Sequence, residues 1–172
     1  MVPSSLDNAK SELKTISAIP VPESFPEDQS YLEAEQPAAI AKLLIPLHHE
    51  HLAEGPNGPA TLAFLFKAKM QGKGRTVLGT AKLAPGELTH FTGFDFVLSF
   101  NHSAWVGMTL DQKLALVDHE LCHCGYDGDK GEYGIIAHDV EDFVSIISRH
   151  GLWQAGLVPF AKAIVGVADG VK

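Results

Sequence analysis

Two histidines four residues apart, with a glutamate directly after the first, stand at His119-Glu120-Leu121-Cys122-His123. On an α-helix, residues i and i+4 lie on one face about one turn apart. His119 and His123 can therefore present two imidazoles to one metal ion, and Glu120 can reach a water beside it. Two helical histidines with a general-base glutamate form the donor pattern of zinc-dependent hydrolysis.

The surrounding residues predict the helix this geometry needs. Thr109 and Gln112 are spaced as a capping box. Leu110, Leu114, Leu116, Val117, Leu121 and Cys122 recur closer to helical than to strand period. No proline interrupts them, and Gly125 supplies a stop signal, so a helix is expected over residues 110–124. Val117 and Leu121 share one face of it, while His119 and His123 lie on another stripe. That division suits a helix packed at its back and facing a cleft at its front.

A catalytic zinc commonly takes three protein ligands. Residues 125–134 are rich in Gly and Asp and read as a loop. Val140, Phe143, Val144 and Ile147 then give an i, i+3, i+4, i+7 stripe, which predicts an amphipathic helix ending at Gly151, with Arg149 and His150 in its last turn. His138 falls near its start and is the first choice for third ligand. Glu141, one turn later, is the alternative, because glutamate also serves as a zinc ligand. Asp139 and Asp142 are candidates to orient ligating imidazoles, or simply favour a helix N-terminus through its dipole. Cys122 and Cys124 read as small buried hydrophobes. Cys122 points about 100° away from His123 and does not share its metal.

Residues 1–30 hold Pro3, Pro20, Pro22 and Pro26 and read as an extended, partly flexible leader, with a short helix over residues 6–16. Residues 31–172 form the expected domain. Helix is expected over residues 31–54, kinked at Pro46, with a firm break over residues 55–59. Strands are expected over residues 61–70, 75–83 and 94–101, with a turn over residues 71–74. His48 and His51 would share a helix face and could take a second metal, though a polar helix end is the plainer reading. His90 and His150 read as structural. His102, between the last strand and the metal helix, could touch a substrate.

The chain has 172 residues, 45% of them hydrophobic and 20% charged, which is the composition of one ordinary globular domain. No apolar run reaches about 18 residues, so no membrane span is expected. The N-terminus lacks the basic and apolar regions of a signal peptide. Two cysteines fit a reducing cytosol. A formal net charge of −8 argues against a nucleic-acid binder. Lys67, Lys69, Lys73, Arg75 and Lys82 cluster in sequence but alternate with apolar residues, as on a solvated sheet face.

At His119-Glu120-Leu121-Cys122-His123-Cys124 and His138-Asp139-Val140-Glu141-Asp142-Phe143 the chain resembles the phage metallopeptidase family, over about residues 34–153. The same pattern is similar to SprT-like zinc proteases, where a histidine after the motif completes the metal site. The resemblance implies His138 rather than Glu141 as third ligand, and a zincin-like α+β fold. That fold would be a small, mostly antiparallel sheet of about three strands, packed with the active-site helix and flanking helices. It also implies a phage or prophage origin, the cytoplasm of the bacterial host, and a peptide or protein substrate. In zincins the strand before the metal helix commonly edges the cleft and pairs with an extended peptide; here that would be residues 94–101. The expected enzyme is a zinc metallopeptidase holding Zn2+ through His119, His123 and His138, with Glu120 as general base. Tyr126, Tyr133 and His102 are candidate oxyanion donors. The alternative is a non-catalytic zinc-binding phage protein that interacts with a host protein.

Overall fold

Phe96, Leu98 and Phe100 alternate with Val97, Ser99 and Asn101, and each of the three aromatic or aliphatic side chains has 0% of its surface exposed. This period-2 pattern makes a strand with one fully buried face. In the computed structural model it is the centre of the protein. The structure describes residues 5–54, 58–72, 74–138, 143–153, 157–159, 161–162 and 165. In chain order the elements are α1 (Ser5–Ser17), β1 (Leu32–Glu33), α2 (Glu35–His48), α3 (Glu50–Ala53), β2 (Leu62–Lys67), β3 (Gln71–Gly72), β4 (Arg75–Thr76) and β5 (Gly79–Leu83). They continue with α4 (Gly86–Thr92), β6 (Phe96–Asn101), α5 (His102–Trp105), α6 (Leu110–Cys122), β7 (Cys124–Asp127), β8 (Glu132–Ile135) and α7 (Val144–His150).

The main sheet has the order β1-β2-β6-β5. β1 with β2 and β5 with β6 are antiparallel, whereas β2 with β6 is parallel, with Phe64 opposite Leu98. The expected α+β class is therefore present, compatible with a zincin-like arrangement. The sheet has four strands rather than about three, because Leu32–Glu33, expected to begin a helix, extends along β2 instead. Helices α2 and α6 cover one face: Ile40, Ala41 and Leu44 join Leu116, Val117 and Leu121 over Phe66, Phe96, Leu98 and Phe100. Burying each such large side chain contributes about 1.5–3 kcal/mol. Trp105 closes the core edge-on to Phe66 and Phe100, at centroid distances of 5.6 and 5.4 Å.

Three expected elements change shape. The strand expected over residues 75–83 breaks in two. The buried Asn101 amide donates to the carbonyls of Met70 and Val77, at 3.3 and 2.9 Å, and pins the kink between β4 and β5. The helix expected to kink at Pro46 runs through it and breaks at His49. The Gly- and Asp-rich stretch expected to be a loop is a hairpin, in which Gly125 faces Gly134 and Tyr126 faces Tyr133. Only its tip is a turn, where Asp127 Oδ1 accepts from the Asp129 and Lys130 amides and Gly131 takes φ 71°.

The N-terminal segment is tied to the core. Ile16 of α1 is buried, and the Gln36 amide donates to the Ile16 carbonyl at 3.1 Å. Gln36 Oε1 in turn accepts from Trp105 Nε1 and Lys113 Nζ, at 2.9 and 3.0 Å. One buried glutamine thus joins α1, α2, α5 and α6.

Helix α6 begins where the capping residues place it. Thr109 Oγ1 accepts from the Gln112 amide at 3.3 Å, and Gln112 Oε1 accepts from the Thr109 amide at 3.0 Å. Thr109→Ala removes one of these bonds and is expected to lower stability by about 1 kcal/mol, read as a shift in the urea unfolding midpoint at constant slope.

Candidate metal centre and its surroundings

His119 lies in the last turn of α6 and His123 is its C-cap residue, so one helix end carries both imidazoles. Val117 and Leu121 anchor the opposite side of that turn in the core. His138 follows β8 outside any described helix; the described helix α7 runs from Val144, and residues 139–142 between them lie outside the described residues. The hairpin between α6 and His138 folds the chain back on the helix end. His138 Nε2 comes 3.0 Å from His119 Nε2. Ligand nitrogens of His119, His123 and His138 all lie within 4.8 Å of one another.

Two further contacts orient the rings. His123 Nδ1 donates to the Ile136 carbonyl at 2.7 Å, which leaves Nε2 as the ligand nitrogen. The Phe143 ring meets all three imidazoles edge-on, at centroid distances of 5.4 Å to His119, 4.9 Å to His123 and 5.4 Å to His138. The donor set fits a catalytic metal in number and kind: three neutral-capable imidazoles with a carboxylate next to one of them. Zinc–nitrogen bonds of about 2.0–2.1 Å in a tetrahedron separate the nitrogens by roughly 3.3 Å, so the observed spacing needs only small adjustment.

Glu120 is 3% exposed and projects towards β5 rather than into water. A Cβ added at Gly79 would stand 2.5 Å from Glu120 Oε1. The strand at the edge of the sheet beside the motif is thus β5, not residues 94–101 as expected; β6 is interior, between β2 and β5. The Asn101 backbone N–H donates to the Leu78 carbonyl at 2.8 Å. By antiparallel alternation the Gly79 N–H and C=O then point away from β6.

A family model described as "Putative phage metallopeptidase" matches residues 29–161. The chain belongs to this family. The match spans the sheet, α6 and every candidate ligand. Neither the curated proteins nor the solved structures gave a match. No described helix is long and apolar enough to cross a membrane.

Beside the ligands, this phage metallopeptidase family member has a buried charge cluster that sequence reasoning missed. Asp118 is 0% exposed. Its Oδ1 accepts from His49 Nε2 at 2.7 Å and an Arg149 terminal nitrogen at 2.6 Å. Its Oδ2 accepts from Arg149 Nε at 2.7 Å and His150 Nε2 at 2.8 Å. Burial by itself raises the Asp118 pKa, but the bonds from His49, Arg149 and His150 outweigh it and hold the carboxyl well below the usual carboxylate range. The one signal in the sequence was a charge set directly after the apolar run Ala115-Leu116-Val117. His49, Asp118 and Cys122 also lie close enough to group around a cation. Arg149 already supplies that charge, with a terminal nitrogen 4.0 Å from Cys122 Sγ.

The remaining candidates separate from the site. His48 is exposed, while His51 Nε2 bonds the Cys124 carbonyl at 2.8 Å, so these two do not form a second metal pair. His150 joins the Asp118 cluster rather than standing alone. His102 is 2% exposed. It bonds the Pro22 carbonyl between the rings of Phe25 and Phe66, holding the N-terminal segment rather than facing a cleft. Cys124 is in the core, where burial raises its thiol pKa, and Cys122 pairs with Ser145. Tyr126 and Tyr133 meet edge-on across the hairpin at a centroid distance of 5.4 Å, and Tyr133 also meets Phe96 edge-on. Asp139, Glu141 and Asp142 lie outside the described residues.

Proposed function

We propose that this chain is a zinc metallopeptidase that hydrolyses peptide bonds of a protein substrate, with His119, His123 and His138 as metal ligands and Glu120 as general base. The observation that carries the reading is the convergence of three imidazoles from α6 and the segment after β8, with Glu120 on the adjoining helix position. Zn2+, when bound, supplies Lewis-acid chemistry that acidifies water and polarises a carbonyl. A Glu120 carboxylate oxygen takes the proton of the attacking water and passes it to the leaving amine nitrogen. The Ile136 carbonyl fixes the His123 tautomer, and the Phe143 ring keeps bulk water from one side of the three imidazoles. The outward N–H and C=O of Gly79 suit pairing with an extended substrate backbone. Membership of a phage family supports a phage or prophage origin and action in the cytoplasm of the bacterial host.

The test is metal content by mass spectrometry on protein purified without added metal, with His138→Ala and Glu141→Ala in parallel. The expected result is about one zinc per chain, lost in His138→Ala and retained in Glu141→Ala. Loss only in Glu141→Ala would move the third ligand to Glu141. No metal as purified, and none taken up from added zinc, would overturn the reading.

A further inference from the structure

Gly79 is not in the left-handed backbone region that favours glycine; the positive-φ glycines among the described residues are Gly58, Gly74, Gly93, Gly131 and Gly151. Backbone conformation therefore does not explain a glycine here, in a strand where glycine costs roughly 0.5–1 kcal/mol relative to alanine. Space does. A Cβ at position 79 would stand 2.5 Å from Glu120 Oε1 and 2.9 Å from both Cδ and Cγ. Real side chains do not approach so closely, and the clash reaches down to Cγ, not merely the mobile tip.

We propose that Gly79 is a positioning residue for Glu120: the bare backbone of β5 at this point is the surface against which the carboxylate is set. The proposal rests on the reading of Glu120 as the base. Neither partner has an easy retreat. β5 is held to β6 by its ladder, with Gly79 opposite Phe100 and Ala81 opposite Leu98. α6 is held by Leu116, Val117 and Leu121 in the core, and Glu120 itself is 3% exposed. A side chain at 79 is therefore accommodated by turning the carboxylate away from its place next to His119. The three heavy atoms nearest the Cβ position of residue 79 all belong to Glu120 and none to a ligand imidazole, so the carboxylate side chain meets the added methyl first. A misplacement of about 1 Å in a reacting group costs on the order of 10²-fold in rate.

The test is a double-mutant cycle on the full chain with Zn2+ present, comparing wild type, Gly79→Ala, Glu120→Ala and the double variant by urea unfolding. Gly79→Ala is expected to lower the midpoint when Glu120 is present, and to leave it unchanged or raise it when residue 120 is alanine. An equal loss in both backgrounds, or failure of both to fold, would overturn the proposal, since the damage would not come from Glu120. In parallel, Gly79→Ala should retain zinc and lower kcat on fluorescein-labelled casein about 10²-fold, with KM little changed. An unchanged kcat would overturn it too. A wild-type chain that binds no zinc refutes the peptidase reading separately, while the unfolding cycle still decides whether Gly79 sets Glu120.

Discussion

Glu120→Gln is expected to keep zinc at the wild-type level and to lower peptide hydrolysis by about 10²–10⁴-fold, the usual contribution of a positioned general base. Gln is nearly isosteric with Glu, so it fits the narrow space against Gly79 and leaves His119, His123 and His138 undisturbed. It cannot take up a proton at neutral pH. The measurement pairs metal analysis with initial rates on labelled casein. A variant as active as wild type would remove Glu120 from the mechanism. Wild type that binds zinc and cleaves nothing would favour the non-catalytic zinc-binding alternative.

Asp118→Ala is expected to cost about 3 kcal/mol of folding stability, towards the lower end of the range for breaking a buried ion pair. The variant leaves His49, with a side chain 3% exposed, and Arg149, 23% exposed, without their shared acceptor. Partial exposure lets water replace some of what Arg149 loses, which sets the lower end. Because the folded-state pKa of Asp118 is depressed, its contribution is fully present above the ordinary carboxylate range. It is lost progressively as pH falls from that range through the depressed value. The damage should also reach the metal centre. Arg149 and His150 sit in the last turn of α7, and Phe143 at the N-cap of α7 braces the three imidazoles. Zinc affinity measured by competition with a chelator should therefore fall in Asp118→Ala although no ligand is changed. Unfolding at the wild-type midpoint would mean that the four hydrogen bonds contribute little net stability.

Much of helix α6 was legible in the sequence. Thr109 and Gln112 mark its start, its apolar stripe marks its buried side, and the spacing of His119 and His123 brings two imidazoles to one helix end. These features depend on hydrogen bonds and side-chain directions within a few residues, which local sequence encodes directly. The interior strand was legible for the same reason: alternation at Phe96, Leu98 and Phe100 needs no knowledge of neighbours. The edge strand was not. Which strand lies beside Glu120 depends on the crossover that inserts β6 between β2 and β5, and no local pattern carries strand order. The hairpin before His138 was not legible either, because a Gly- and Asp-rich stretch can make a whole loop or only the tip of a hairpin. Pairing across Gly125 and Gly134 decides between them.

The tertiary structure alone decided the contacts that set the site. His49 and Asp118 are 69 residues apart, and nothing near His49 distinguishes it from His48 or His51. Gly79 lay inside the strand expected over residues 75–83, and its contact with Glu120 arises only where β5 meets α6. Capping, periodicity and ligand spacing are short-range and survive in the linear chain, whereas a buried charge finds its partners, and a strand its neighbour, only once the whole core has closed around them.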